Sequence, residues 1–302
     1  MSKPLKYGIF LVVSISIIFY VISALFKLFD SGFLTQIFAA LVSSIIVTTV
    51  VIITAPVLKD ILATYRTMMR LENLSHPLLL ELSLEAPGTY HHSLMVANLA
   101  NRAAKSIGAD SIKSRIGGYY HDIGKTKNPE FFIENQIEGK NAHSELSNPK
   151  KSAKIIISHV SEGVKMAKQN NLPNEIIDLI EEHHGTTLVS FFYEQAKNKN
   201  RTVNRIDFQY SGPKPHSQEA AILMLADAIE AKIRLSNKIT PLVIRETVDQ
   251  IIEMRLAEKQ LEFSGLNPDK IKTIRQSFIE TLSTMFHQRI NYPKDQINAK
   301  KD

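Results

Sequence analysis

The sequence predicts an all-α protein, and three observations carry the prediction. Apolar residues recur at three- and four-residue spacing along most of the chain, the period of a helix with one buried face. No sustained alternation of apolar and polar residues demands a sheet. Near the N-terminus two uncharged stretches are each long enough to cross a hydrocarbon core as helices, which takes roughly 20 apolar residues.

The first stretch covers residues 7–26 and the second residues 31–58. Only Lys27, Leu28, Phe29 and Asp30 separate them, so residues 1–58 are expected to form a transmembrane hairpin. A cleaved signal peptide is the competing reading of the first stretch. It is too long for a typical signal core, no small-residue cleavage site follows it, and a second span comes directly behind. Lys3 and Lys6 precede the hairpin and Lys59, Arg66 and Arg70 follow it, against Lys27 and Asp30 in the turn. The positive-inside bias then puts both ends, and the domain that follows, in the cytoplasm.

Residues 59–72 read as a helix continuing out of the membrane. Val96, Leu99, Ala103 and Ala104 give one apolar face to a helix over residues 89–107. Ile155, Ile156, Val160 and Val164 do the same over 149–169. A further helix opens at Pro173 and stops near Gly185, with proline in a first turn and glycine at a C-terminal cap. Residues 217–235 and 241–262 continue the pattern. The polar stretch 197–216, with Pro213 and Pro215, reads as a loop. The soluble domain is thus expected over 59–292, with a disordered tail at 293–302.

The 302 residues suffice for one sizeable domain plus appendages. There is no Cys, which excludes disulfides and thiolate-held metals, so any metal must be held by His and carboxylate. The net charge of +6 suits an anionic substrate or membrane surface but is too diffuse to argue for a nucleic-acid polymer. Zinc-finger, Walker and GxGxxG patterns are absent.

The chemistry lies in an ordered set: His92, then His121-Asp122, then His159, then His183-His184, then Asp227. Five imidazoles and two carboxylates can hold two metal ions, with one carboxylate to bridge them. Taken singly, most of these residues have a plainer reading. Asp227 lies in an apolar run, where a buried salt bridge or a solvent-facing position competes evenly with ligation. His159 shares a helix face with Ile155 and Ile156, and alone it reads better as a hydrogen-bonded core histidine. His183 and His184 diverge by about 100° on a regular helix, so both reach one ion only if the helix ends there, as Gly185 suggests. Lys125, three residues past Asp122, could meet a phosphate oxygen or be a solvated lysine. Of His91 and His92 only one can face the site. His76, His143, His216 and His287 read as surface residues. It is the ordered combination that points to a metal-dependent phosphohydrolase.

At these residues the chain resembles the HD-domain superfamily of metal-dependent phosphohydrolases, and within it the membrane-bound cyclic di-AMP phosphodiesterases of the PgpH type. The resemblance rests on four segments. They are Leu84 through Leu94, Tyr119 through Lys125, Asn128 through Gln136, and His183-His184-Gly185-Thr186-Thr187. It covers roughly residues 57–290. It implies a helical HD bundle behind the hairpin, with metal ligands His92, His121, Asp122, His159, His183, His184 and Asp227, and with His92 rather than His91 in the site. The family ordinarily carries a large extracellular domain and seven spans ahead of the catalytic domain. Two spans are present here, in a naturally short member or a piece of a longer protein. The GYP element of the cyclic di-GMP-cleaving relatives is absent after His184, where Thr187 is followed by Leu188 and Val189.

The expected activity is hydrolysis of cyclic di-AMP to linear pApA at a dinuclear site of iron or manganese, with Asp122 and Lys125 as catalytic residues. One ion would take His92, His121, Asp122 and Asp227, and the other Asp122, His159, His183 and His184. Two ions together would lower the pKa of an attacking water and neutralise phosphoryl charge. The rest of the substrate would need contacts elsewhere, with Lys125, Lys197, Lys199, Arg201 and Arg205 as candidates. Expected partners are the cyclic dinucleotide, the plasma-membrane bilayer of a bacterium and, as a homodimer, a second copy. Two rival readings stand beside this one: a phosphohydrolase of another cyclic or linear nucleotide, and a catalytically idle, membrane-tethered nucleotide receptor.

Overall fold

The computed structural model describes residues 33–286, except 137–140, 147, 200–201 and 237, together with residues 14, 17–18 and 21–22. The described residues form helices throughout, and the only β pairing among them is an isolated antiparallel bridge between Leu188 and Gln209. Most of the expected first span, its turn, His287 and the tail lie outside the described residues.

Contacts divide the chain into two units at Leu74 and Ser75. In the first, α1 (Phe33–Glu72) runs unbroken from the second apolar stretch through residues 59–72 and past an internal Pro56. Among the described residues it is the one helix long and apolar enough to cross a bilayer. Many apolar side chains of its apolar stretch are exposed, Ile45 and Ile52 each at 66%. Only one span of the expected hairpin is therefore present as a described helix.

The second unit is a helical bundle. Its elements are α2 (Pro77–Glu85), α3 (Pro87–Ser106), α4 (Ser111–Tyr120), α5 (Ala142–Leu146), α6 (Pro149–Gln169), α7 (Asn174–Glu182), α8 (Ser190–Lys199), α9 (Gln218–Arg234), α10 (Pro241–Ala257) and α11 (Pro268–Met285). Proline occupies the first turn of α2, α3, α6, α10 and α11, where its missing N–H costs no helical bond. Side-chain oxygens of Asp110, Asn148, Ser217, Thr240 and Asn267 cap α4, α6, α9, α10 and α11 by accepting backbone N–H bonds.

Two helices form the centre. α3 packs on α4, α9 and α11 through Val96, Ala97, Leu99, Ala100, Ala103 and Ala104. Four of these six are alanines, which lets the neighbouring backbones approach closely. α9 is buried along nearly its whole length, from Ala220 to Ala226 and again at Ile229 and Ile233. A polar side chain on either helix that faces inward is therefore deep in the protein.

Two sequence expectations need correction. Residues 197–216 are not all loop. α8 runs on to Lys199 and a 3₁₀ turn forms at Arg205–Phe208. Phe192 and Phe208 pack with Ala153 of α6 as a small separate core, which orders the segment despite its polar composition. α10 ends at Ala257 rather than 262. Lys259 takes a positive φ of 53°, and Gln260 turns inward to hold Thr186, accepting from its backbone N at 3.0 Å and donating to its Oγ1 at 3.0 Å.

Between α4 and α5 the chain makes a 3₁₀ turn at Ile123–Lys127 that packs on α6. Gly124 allows the approach. A Cβ there would lie 2.0 Å from the backbone O of His159 and 2.5 Å from N of Gly163, both fixed by α6. Gly124→Ala is expected to push this turn off α6 and cost about 1–3 kcal/mol. A thermal melt should show a fall of several degrees; an unchanged curve would mean that the turn moves freely.

Candidate metal centre

The bundle brings all seven sequence-singled residues to one place. His92 comes from the middle of α3 and Asp227 from α9. His121 caps the C-terminus of α4, and Asp122 is the first residue beyond it. His159 faces inward from α6. α7 stops at Glu182, which frees the chain to turn at His183 and His184. Gly185 follows with φ +52°, a conformation open mainly to glycine. Helix termination thus lets two adjacent histidines point at one site. His91, one residue from His92, is exposed.

The side chains fall into two groups, and within each the candidate ligand atoms lie within 4.8 Å of one another. One group is His92, His121, Asp122 and Asp227; the other is His159, His183 and His184. Asp122 stands between them. Its Oδ2 is 3.2 Å from His121 Nε2 and 3.5 Å from His92 Nε2, while its Oδ1 is 3.2 Å from His159 Nε2 and 3.7 Å from His183 Nε2. Each carboxylate oxygen faces a different group. Asp227 places Oδ1 3.1 Å from His92 Nε2 and Oδ2 3.7 Å from His184 Nδ1.

The ring nitrogens are sorted in the same sense. His121, His159 and His183 each donate Nδ1–H to the backbone carbonyl three residues earlier, at Gly118, Ile156 and Ile180. A carbonyl only accepts, so the proton sits on Nδ1 and a neutral ring offers Nε2 as a lone pair. His159 Nε2 and His183 Nε2 then meet at 3.3 Å. Two lone pairs so placed repel unless a cation lies between them. Nε2 of His92 and of His121 and Oδ1 of Asp122 are buried without a directed hydrogen bond. Buried polar atoms are rarely left so. The donor set fits cations.

The charges agree. Burial alone would raise the carboxyl of Asp122, but His121 and Lys125 beside it hold it well below the usual carboxylate range. Burial works against Asp227 in the same way, and the imidazoles of His121 and His92 beside it pull it down. Burial would lower the imidazole of His121, yet Asp122 and Asp227 raise it to about 10. His92 moves up for the same reason, through Asp227 and Glu230. The acidic group thus draws positive charge onto its own histidines. On the other side burial pushes His183 down to about 3 and His184 well below its ordinary value, so both are neutral lone-pair donors near pH 7.

A second layer holds these groups, and the sequence reading missed most of it. Glu230 lies one turn beyond Asp227 on α9 and pairs with His92 Nδ1. Its spacing of three from Asp227 was the available signal. Lys125 is only 12% exposed and is not a solvated lysine: Nζ is 2.7 Å from Asp122 Oδ2 and 2.8 Å from Glu134 Oε1. Glu134 also accepts from Thr89 Oγ1 at 3.0 Å, and Asn135 Oδ1 accepts from Thr89 N at 3.1 Å. Burial would raise Glu134, but Lys125 brings it to about 2. Tyr210 stacks on His184 with ring centres 4.2 Å apart. Nothing in the segment read as loop signalled it.

The outlying histidines divide. His216 is exposed and pairs with Glu182. His76 and His143 are half-buried rather than surface residues. His76 accepts from Leu78 N to cap α2, and His143 packs between Phe131 and Phe192 and bonds the Phe131 carbonyl. Lys197, Lys199 and Arg205 are exposed on α8 and the following 3₁₀ turn, and Arg201 lies outside the described residues.

The chain is similar to several known proteins. The HD domain family model matches residues 89–232. The cyclic-di-AMP phosphodiesterase PgpH of Listeria monocytogenes is 46% identical over 234 residues, 78% of this chain and 32% of that protein. PgpH of Bacillus subtilis is 44% identical over 234 residues, 78% of this chain and 33% of that protein. The chain thus spans about a third of the length of these curated relatives. The crystal structure of the L. monocytogenes PgpH HD domain in complex with cyclic-di-AMP superposes with a TM-score of 0.68 at 46% identity, covering 72% of this chain and 100% of that one.

Lys125→Met should leave Glu134 buried beside Asp122 with no fixed cation between them. Removing one partner of such a pair costs about 3–5 kcal/mol. Glu134 sits below its ordinary 4.5, so its share is present above that pH and is lost as pH falls through about 2. Melting curves should therefore separate the variant from the parent most at neutral pH and converge in acid. A gap that widens in acid would contradict this pairing.

Proposed function

The chain belongs to the HD-domain family, and on that premise we propose that it is a membrane-anchored, metal-dependent phosphodiesterase that hydrolyses cyclic di-AMP to pApA. The observation that carries the proposal is the placing of Asp122, with one oxygen toward each group of histidines. A bridging carboxylate is what a paired-metal centre requires, and a receptor has no need of it.

His92, His121, Asp122 and Asp227 would hold one divalent ion, and Asp122, His159, His183 and His184 the other. Iron and manganese suit the His and carboxylate donors. Bound there, the two ions would supply an activated water and charge neutralisation at phosphorus. The protein's part is to hold the donors. Lys125 keeps Asp122 ionised and turned toward both groups, and one of its three N–H bonds is left for a phosphoryl oxygen. Glu230 fixes the ring of His92, as a carboxylate behind a ligating histidine commonly does. Tyr210 limits the rotation of His184.

The exposed apolar side chains of α1, Ile45 and Ile52 among them, support the membrane anchor. Lys59, Arg66 and Arg70 directly after the apolar stretch support a cytoplasmic catalytic domain.

Purified full-length protein should carry close to two transition-metal ions per chain, and chelation should abolish its activity. Asp122→Ala should empty both sites, and His92→Ala should lose far more metal than His91→Ala. Elemental analysis finding a single zinc with full activity would sink the dinuclear centre, and equal losses at His91 and His92 would sink the ligand register.

Substrate choice is tested by product analysis. Cyclic di-AMP should be cut to pApA with a higher kcat/KM than cyclic di-GMP. A preference for cyclic di-GMP, or for a mononucleotide, would overturn the substrate and leave the metal centre standing.

A further inference from the structure

We propose that Arg234 anchors the second phosphate of the substrate, the phosphodiester that the metal centre does not engage. The inference rests on the cyclic dinucleotide reading above. Such a substrate carries two phosphates on opposite sides of one macrocycle. The second anchor must therefore sit close to the metal ligands without being one of them.

α9 supplies that position. Asp227, Glu230 and Arg234 follow one another at i, i+3 and i+7 on a single face, with Arg234 at the last turn. At a rise of about 1.5 Å per residue the α-carbons of Asp227 and Arg234 are roughly 10 Å apart along the helix. The guanidinium faces the carboxylates that support the centre. Its Nη2 is 3.9 Å from Glu134 Oε2 and its Nε 3.8 Å from Glu230 Oε1. Both distances exceed a hydrogen bond, so Arg234 is steered by two acids and bonded to neither.

Those acids have nearer partners. Glu134 bonds Lys125 and Thr89, and Glu230 pairs with His92. Neutralising them is not what Arg234 is needed for. Lys125, held at 2.7 and 2.8 Å by Asp122 and Glu134, lies inside the centre beside the phosphate that the ions would engage, so it does not serve the second one. The side chain of Arg234 is 33% exposed, so its donors remain open to a ligand. A planar guanidinium matches a phosphate with two parallel N–H bonds.

The test uses the full chain in detergent, loaded with manganese, on two substrates. One is cyclic di-AMP. The other is bis(p-nitrophenyl) phosphate, a diester with one phosphate and no second group to anchor. For Arg234→Ala, KM for cyclic di-AMP should rise about 10- to 100-fold, the worth of a lost charge-assisted contact. kcat should change far less. kcat/KM on the simple diester should fall at least tenfold less than on cyclic di-AMP, with metal content kept. Arg234→Lys should recover part of the KM. Equal losses on both substrates, loss of metal, or an unchanged KM would each overturn the assignment. A parent protein that cuts the simple diester but no cyclic dinucleotide would overturn the substrate reading and the anchor with it. A parent that cuts cyclic di-AMP beside an indifferent Arg234→Ala would overturn the anchor alone.

Discussion

The rest of the structure depends on keeping one carboxylate, Asp122, ionised inside a helical core. Burial of a charge costs several kcal/mol or more unless it is partnered. Asp122 is 1% exposed and holds its charge because Lys125, His121 and His159 surround it. Each of these arrives by a different device. His121 comes with Asp122 at the end of α4, Lys125 from the 3₁₀ turn, and His159 from α6, brought near by Gly124. Lys125 in turn requires Glu134, and Glu134 requires Thr89 of α3. A chain of paired charges therefore ties α3, α4, α6 and the intervening turns to one atom group.

This dependence explains why the turn at residues 123–135 is ordered although it contains no α-helix. Its three 3₁₀ turns bury few apolar side chains of their own. It is held by Ile123 and Phe132 in the core and by the polar network about Lys125 and Glu134. Even the approach of Gly88 follows, for a Cβ there would lie 1.8 Å from the carbonyl oxygen of Glu134.

Much of the site was legible in the sequence because its donors are rare residue types in a fixed order. The helices were legible wherever apolar spacing and terminal proline agreed, as at Pro149–Gln169 and after Pro241. What stayed hidden was tertiary in origin. Glu134 and Glu230 are common residues whose meaning comes from a partner far away in sequence, Thr89 for one and His92 for the other. Tyr210 sits in a polar stretch whose order comes from Phe192 and Phe208 packing on α6, and no local pattern announces that. The early end of α10 follows from Gln260 reaching Thr186, 74 residues distant in sequence. Lys125 could be singled out for a phosphate contact, but not for its pairing with Asp122 and Glu134, since those two carboxylates are brought to it only by the fold.

The balance of charge bears on the proposed metal centre. Four carboxylates lie in it or directly behind it: Asp122, Asp227, Glu134 and Glu230. Among the described residues, Lys125 and Arg234 are the fixed cations paired with them. The protein alone is short of positive charge, which is why His92 and His121 are drawn toward their protonated forms. Two divalent ions would reverse that sign, and the neutral His183 and His184 stand ready on the other side with lone pairs and no charge of their own. On the proposed function, a centre that is negative by itself and positive when loaded would attract an anionic phosphodiester only after its ions are in place. On the proposed reading, binding of the substrate would depend on the ions that activate it, and Arg234 at the rim would add, beside the buried Lys125, a positive charge that does not depend on them.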